Sequence, residues 1–323
     1  MKVSFHRRFG GPEVLEWIER PEPTPGPGQI LVRVRATTVS AADWRALTNT
    51  FPGGVRLVAG ARFGYFTPRH TVLGNDFAGV VTALGPGTTR FDVGDAVVGQ
   101  TGLRFGTHAE YVLVPEARGL AKKPENLSFE EAASLPFGGV TSLSFLAAAK
   151  LAPGAEVLVN GATGAVGSAA VQISKHLGAR VTAVCRTEHT ELAKTLGADE
   201  VVDYTRDDFA KVGRSWEVIL DTAGTATYGR VKSVLRPNGR LLLVNGTLAD
   251  GLRAPWVAMT SDKRIVVAGA APVEDPMEQL VRLADRGALR PTVGRVLAFA
   301  QIADAYREVA SGHKLGSTVL SVG

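Results

Sequence analysis

The sequence predicts an α/β protein built in two parts, a compact barrel-like β region followed by a doubly wound parallel sheet. Three observations predict it. Residues 1–115 carry several short strand patterns separated by Gly and Pro turns. From Ser128 the period changes, and strand runs alternate with helical ones. Between Ala155 and Tyr204 the chain reads as strand, glycine turn, helix, strand, helix, strand, which is a βαβ unit extended by one further strand. A length of 323 residues suits about two domains of ordinary size.

In chain order, Met1 to Phe5 and Leu15 to Glu19 read as strands, and Pro21 to Gln29 as a rigid proline-rich loop. Ile30 to Thr38 alternates as a half-buried strand does, and Ser40 to Leu47 reads as a short helix. Thr48 to His70 is rich in Gly, Arg and aromatic residues without a clear period, and is expected to be a functional or mobile loop. Val72 to Gly85, Phe91 to Gly99 and His108 to Pro115 return to strand pattern.

Ser128 with Glu131 forms a capping-box arrangement at the head of a long, proline-interrupted helical stretch. After the βαβ unit, Trp216 to Asp221 is a strand, Tyr228 to Leu235 a helix ended by the turn Pro-Asn-Gly-Arg, and Arg240 to Asn245 a strand. Arg264 to Gly269 is the last strand of that sheet. A helix over Pro276 to Arg286, an extended piece over Thr292 to Phe299, a helix over Ile302 to Ser311 and a strand over Ser317 to Val322 close the chain.

The chemistry-bearing stretch is Gly161-Ala162-Thr163-Gly164-Ala165-Val166-Gly167, at the corner between the strand Glu156 to Asn160 and the helix that follows. Glycines there allow a tight turn, a close backbone approach to a pyrophosphate, and close packing of helix on strand. The helix N-terminus adds free N–H groups and a partial positive charge. The spacing is G-x-x-G-x-x-G, a variant whose weight comes from its strand-turn-helix context.

Hydrophobic content of 45% and charged content of 21% are those of a globular protein with ample core. No membrane-spanning run and no signal peptide are expected. The single cysteine, Cys185, excludes an internal disulfide framework or a multi-cysteine zinc site and fits a reducing cytoplasm. The net charge is +5, but the arginines are scattered, so no nucleic-acid partner is expected.

The tip of the second strand of the βαβ unit runs into Cys185, Arg186 and Thr187. NAD-binding sites of this kind place an acid there to hold the ribose 2′-OH. Here no acid stands at the tip, and Arg186 suits a 2′-phosphate, so NADPH is the expected cofactor.

The chain resembles the medium-chain dehydrogenase/reductase superfamily, in its zinc-independent, quinone-oxidoreductase-like branch. The likeness runs nearly end to end. It is carried by FGGPEVLE, VSAADWRAL, VLGNDFAGVVTALGPG, RFDVGDAVVG, AEYVLVP, EEAASLP, GATGAVG with AVQISKHLGA, LGADEVVDY and the closing GSTVL.

The resemblance implies a GroES-like β-barrel catalytic domain (residues 1–122 and 272–323) and an inserted Rossmann domain (residues 123–271), with the active site in the cleft between them. It implies a homodimer. It places Tyr204 along the adenosine, Thr141 near the nicotinamide ribose, and Asn245 and Gly246 beside the nicotinamide. Gly269 and Ala270 would line the nicotinamide, and Ser317 would approach the pyrophosphate. Zinc members of the family use a His-Glu pair where this chain has Asn75 and Asp76, together with cysteines it lacks, so no metal is expected.

Without a metal to polarise an alcohol, the implied reaction is hydride transfer to a quinone or an α,β-unsaturated carbonyl compound. A specialised biosynthetic reductase or cyclase-like enzyme on the same scaffold, and a non-enzymatic NADPH-binding protein, stand as alternatives. Asp43, Tyr65 and Asn75 are the catalytic candidates, and Ser40, Trp44 and Phe66 the substrate contacts. An aspartate at a helix start, as Asp43 is, is more often a cap than a catalyst. A tyrosine between Phe63 and Phe66, as Tyr65 is, is more often packing or a substrate wall than a proton donor.

Overall fold

The computed structural model describes residues 1–267, 271–312 and 314–323. Two large sheets organise them. The six-stranded sheet is parallel throughout, in the spatial order Glu200–Asp203, Arg180–Cys185, Glu156–Asn160, Trp216–Asp221, Leu235–Leu243, Arg264–Val266. The chain starts this sheet in the middle, works to one edge, then returns and works to the other. That reversal opens a crevice at the strand ends, beside Glu156–Asn160. Three of the four inner strands, Arg180–Cys185, Glu156–Asn160 and Trp216–Asp221, are almost wholly buried, because helices cover both faces.

The seven-stranded sheet is mixed and centred on the long strand Gln29–Val39. Asp76–Leu84, Tyr111–Pro115 and the closing strand Ser317–Ser321 all pair antiparallel with it. Its core includes Ile30, Val32, Val34, Leu73, Phe77, Leu120 and Tyr306. The helical stretch Phe129–Ala149 joins the two sheets. It is long and apolar enough, by length and composition, to cross a membrane, but 61% of its most apolar window is buried in the fold. Its capping box is present as Ser128 with Glu131.

Three sequence expectations change. The segment after Thr48 is not all loop, since Arg56–Phe63 forms a helix without a side-chain cap. The helix expected over Tyr228 to Leu235 stops at Val231, and Pro-Asn-Gly-Arg lies inside the strand Leu235–Leu243. A register shift against Trp216–Asp221 and a left-handed Asn238 absorb the turn, so the strand continues past it. The helix Leu248–Thr260, unexpected from periodicity, starts from a capping box of Thr247 with Asp250 and tolerates Pro255 in its interior. Its Leu252, Trp256 and Met259 are exposed, so no inward apolar stripe announced it.

His6 gives the fold an acid-sensitive point. Its backbone is tied to Thr71, its side chain is buried, and among the described residues Nε2 has no hydrogen-bond partner. Burial lowers its pKa to about 4, against the opposing Thr71 contact and with help from His108. The unfolded chain protonates near pH 6.5 and the folded one near 4, so this group's stability is present above 6.5 and lost as pH falls toward 4. The loss amounts to about 3 kcal/mol. Urea unfolding at pH 7 and 4.5 should show a smaller pH dependence for His6→Leu than for the parent; equal dependence would refute the assignment.

Candidate active site

The glycine turn lies in the crevice at the strand ends. Gly161 has φ +81°, and a Cβ there would stand 2.5 Å from Thr222 Oγ1. Gly167 faces back onto the turn, where a Cβ would come 2.0 Å from the Gly161 carbonyl oxygen. Gly164 differs: its φ is −76°, and the nearest atom to an added Cβ is 3.6 Å away. Neither backbone conformation nor the protein's own packing requires glycine there, so its use suits a ligand that comes close. Gly164 is also the N-cap of Ala165–His176 and makes no side-chain cap, which leaves the first-turn N–H groups available to an anion. These features fit a dinucleotide pyrophosphate.

The turn opens into a cleft of about 970 Å³. Thr141, Gly161, Thr163, Gly164, Ala165, Val166, Cys185, Arg186, Tyr204 and Asn245, all expected at the cofactor, line it. Ala162 and Gly167 are buried behind the turn and act through packing. Thr187 donates to Asp203 at the strand end, and Gly246 packs against Val267; neither lines the cleft. Gly269 and Ala270 lie outside the described residues.

Ser317, expected at the pyrophosphate, does not line the cleft: it is 4% exposed, with Oγ 3.5 Å from the Ser134 carbonyl. The closing segment reaches the site through its neighbours instead. Gly316 N–H donates to the Thr163 carbonyl at 2.8 Å, and Gly312 and Lys314 line the cleft. Lys314 is close to the Val39 carbonyl at 3.4 Å, and burial pushes its pKa down to about 8.

At one end of the cleft Arg186 Nε donates to Tyr204 Oη at 2.9 Å, and Nη1 to Glu188 Oε1 at 3.3 Å. The hydrogen bond to Tyr204 is the main cause that raises the Arg186 pKa. Burial pushes the Cys185 thiol up to about 11, so it is no thiolate nucleophile. Asp221, an acid at a strand end beside the turn, holds the N–H groups of Ala223, Gly224 and Ala226 and accepts from Asn160 Nδ2. At the other end Asn245 Nδ2 donates to the Thr222 carbonyl at 2.8 Å, while Oδ1 accepts from Arg45 Nη2 at 2.7 Å.

The catalytic candidates stand apart from the cleft. Asp43 is 0% exposed; Oδ2 accepts from Ser40 N–H and Oγ, and Oδ1 from Gly74 N–H. Asp43 and Ser40 thus form a capping box that staples the helix Ala41–Thr48 to the GNDFAG segment. Asn75 is buried against Thr101. Trp44 is half-buried and packs on the β-rich core. Tyr65 is exposed and donates to the Leu57 carbonyl, and Phe66 is 93% exposed.

The wall of the cleft on the side of the seven-stranded sheet is made instead by Ala41, Ala42 and Arg45, with Val309, Gly312 and Lys314. Sequence reasoning missed Arg45, whose only signal was its place two residues after Asp43 on a short helix. Asp76 is fully buried, holds Thr38 and Gln100, and is raised to about pH 7 by burial and by Asp43. Among the described residues no group of three or more His, Cys, Asp or Glu could hold a metal ion.

Comparison with known proteins gives the family. Residues 26–125 match the alcohol dehydrogenase GroES-like domain, and residues 196–320 the zinc-binding dehydrogenase family. A quinone oxidoreductase of Pseudomonas aeruginosa is 30% identical, with 97% of each chain covered. An NADPH-dependent alkenal/one oxidoreductase of Arabidopsis thaliana is 28% identical over 99% of this chain and 79% of its own. Among solved structures, the Coxiella burnetii quinone oxidoreductase superposes with a TM-score of 0.87 at 26% identity, covering 100% of this chain and 99% of that one. An NAD-dependent alcohol dehydrogenase superposes at 0.84 with 32% identity and full coverage of both. With a parallel sheet ordered as a dinucleotide fold, a GroES-like sheet beside it and a glycine turn in the crevice, the chain belongs to the medium-chain dehydrogenase/reductase superfamily, as an oxidoreductase of its quinone-oxidoreductase-like branch.

Proposed function

We propose that the protein is a metal-free, NADPH-dependent reductase acting on a quinone or an α,β-unsaturated carbonyl compound. The observation that carries the cofactor choice is the pair Arg186 and Tyr204, joined by a hydrogen bond on the cleft wall, with no free carboxylate at the tip of Arg180–Cys185. A guanidinium fits a 2′-phosphate through parallel donors, whereas a bare ribose needs an acceptor. When bound, the reduced nicotinamide supplies the hydride.

The chain supplies the rest. The glycine turn and helix N-terminus bind the pyrophosphate, Asn245 positions the nicotinamide side, and the two sheets enclose the acceptor away from water. Asn75 and Asp76 support the metal-free reading, because each is committed to protein partners and neither has a cysteine nearby. The same reading assigns residues 1–122 with 272–323 to the acceptor-binding domain and residues 123–271 to the dinucleotide-binding one. It places the enzyme in a reducing compartment such as the cytoplasm, as a dimer that covers the edge strand Arg264–Val266.

The test is NADPH and NADH oxidation followed against a panel of enals, enones and quinones, with metal analysis of the purified protein. NADPH turnover with at least one acceptor class and no bound zinc is the expected result. An NADH preference, or stoichiometric zinc, would overturn the corresponding part. Tight NADPH binding with no turnover on any acceptor would overturn the enzymatic part.

A further inference from the structure

We propose that Arg45 is the group that binds the acceptor's carbonyl oxygen and stabilises the negative charge it gains during hydride transfer. This rests on the reductase reading above and adds a residue to it.

Position is the first argument. The wall that the seven-stranded-sheet half presents to the cleft consists of Ala41, Ala42, Arg45, Val309, Gly312 and Lys314, so the small side chains of Ala41 and Ala42 leave room beside the guanidinium, and Lys314 is the other charged group. Arg45 reaches the Asn245 end of the cleft, beyond the strand Leu235–Leu243. In the observed sheet order this is the half that serves the nicotinamide, whereas Arg186 and Tyr204 mark the adenosine half.

Unused bonding capacity is the second. A guanidinium has five N–H donors in a fixed fork. Among the described residues Asn245 Oδ1 is its one hydrogen-bond partner, through Nη2. Asn245 is itself fixed by its bond to Thr222, so the guanidinium is oriented by a held group. Burial lowers the Arg45 pKa, which shows that its solvation is already reduced, yet arginine stays charged. A preoriented, partly desolvated cation stabilises developing charge far better than one in water.

Elimination is the third. Arg230, also on the cleft wall, is paired with Asp208 at 2.7 Å and with the Thr225 carbonyl. Arg206 lies at the adenosine end and pairs with Asp203. Lys314 directs Nζ to the Val39 carbonyl at 3.4 Å, and burial brings its pKa down to about 8, so it holds its charge less firmly than Arg45.

The chemistry balances without a metal. The hydride brings two electrons and one proton's nucleus to the β-carbon of an enone. The C=C π pair shifts to form the enolate, and its charge collects on the oxygen against Arg45. Solvent then protonates the α-carbon, and the nicotinamide leaves oxidised. For a quinone the same cation meets the hydroquinone oxyanion, which solvent protonates.

The experiment compares the full-length parent with Arg45→Met, Arg45→Lys and Arg45→Ala. Arg45→Met should lower kcat/KM for enones by about 10²-fold or more, with the NADPH dissociation constant within about threefold. Arg45→Lys should recover part of the rate. Guanidinium chloride, but not sodium chloride, should rescue Arg45→Ala. A second readout needs no turnover: 4-nitrophenol bound to the protein–NADP⁺ complex should show the phenolate band in the parent and lose it in Arg45→Met.

Unchanged rates together with an unchanged phenolate band would overturn the proposal. So would a rate loss in Arg45→Met with the phenolate band intact, because Arg45 would then not meet the acceptor's oxygen. A parent inactive on every enone and quinone would instead defeat the reductase reading, and the phenolate band would still judge Arg45.

Discussion

Gly167→Ala is expected to weaken NADPH binding by about a hundredfold or more and to destabilise the fold by about 1–3 kcal/mol. The new Cβ would lie 2.0 Å from the Gly161 carbonyl and 2.8 Å from Ala162 Cα, both backbone atoms that no side-chain rotation can move. The turn must shift as a body, and with it the N–H groups at the head of Ala165–His176. Two anion-directed hydrogen bonds at about 1.5–3 kcal/mol each are at stake.

Gly164→Ala is the informative control. Its Cβ meets nothing nearer than 3.6 Å and its φ is ordinary, so folding should be unaffected. Affinity should still fall, because the methyl occupies the ligand's side of the turn. Calorimetric titration with NADPH and thermal unfolding of both variants separate the two effects. If Gly164→Ala bound NADPH as tightly as the parent, the pyrophosphate would not lie where the turn suggests.

Arg186→Ala is expected to weaken NADPH binding by roughly tenfold or more, through loss of a charge-assisted contact to the 2′-phosphate, and to leave NADH unchanged. The NADPH advantage of the parent should also shrink as salt is raised, since Arg186 is substantially exposed. Glu188 holds Nη1 at 3.3 Å, so Glu188→Gln should free that nitrogen and strengthen NADPH binding modestly. Equal losses for both cofactors in Arg186→Ala would place the guanidinium on a part they share rather than on the 2′-phosphate.

The cofactor half of the site was legible because its signal is local. A strand, three glycines and a helix within 21 residues, Glu156 to His176, set the turn, and Arg186 follows the next strand directly. The acceptor half was not, because it is assembled across the chain. Asp43 and Ser40 have the residue types of catalysts, but their spacing is that of a capping box, and the structure uses them so. Arg45 has no motif at all; its importance comes from Asn245, 200 positions away.

Fold elements divide in the same way. The buried strands Arg180–Cys185 and Trp216–Asp221 stand out as apolar runs, whereas the pairing of Ser317–Ser321 with Gln29–Val39 is a long-range contact that no local pattern encodes. Leu248–Thr260 was hidden for a different reason. Its apolar residues Leu252, Trp256 and Met259 point outward, and only the Thr247–Asp250 capping box marks its start.

The bond from Gly316 to Thr163 has a consequence for measurement. It ties the segment entering the closing strand of one sheet to the phosphate turn of the other, through a single amide proton. That proton can exchange with solvent only when the two halves of the molecule part. Its exchange rate is therefore a gauge of how often the cleft opens, readable without substrate, and it should slow when NADPH bridges the halves.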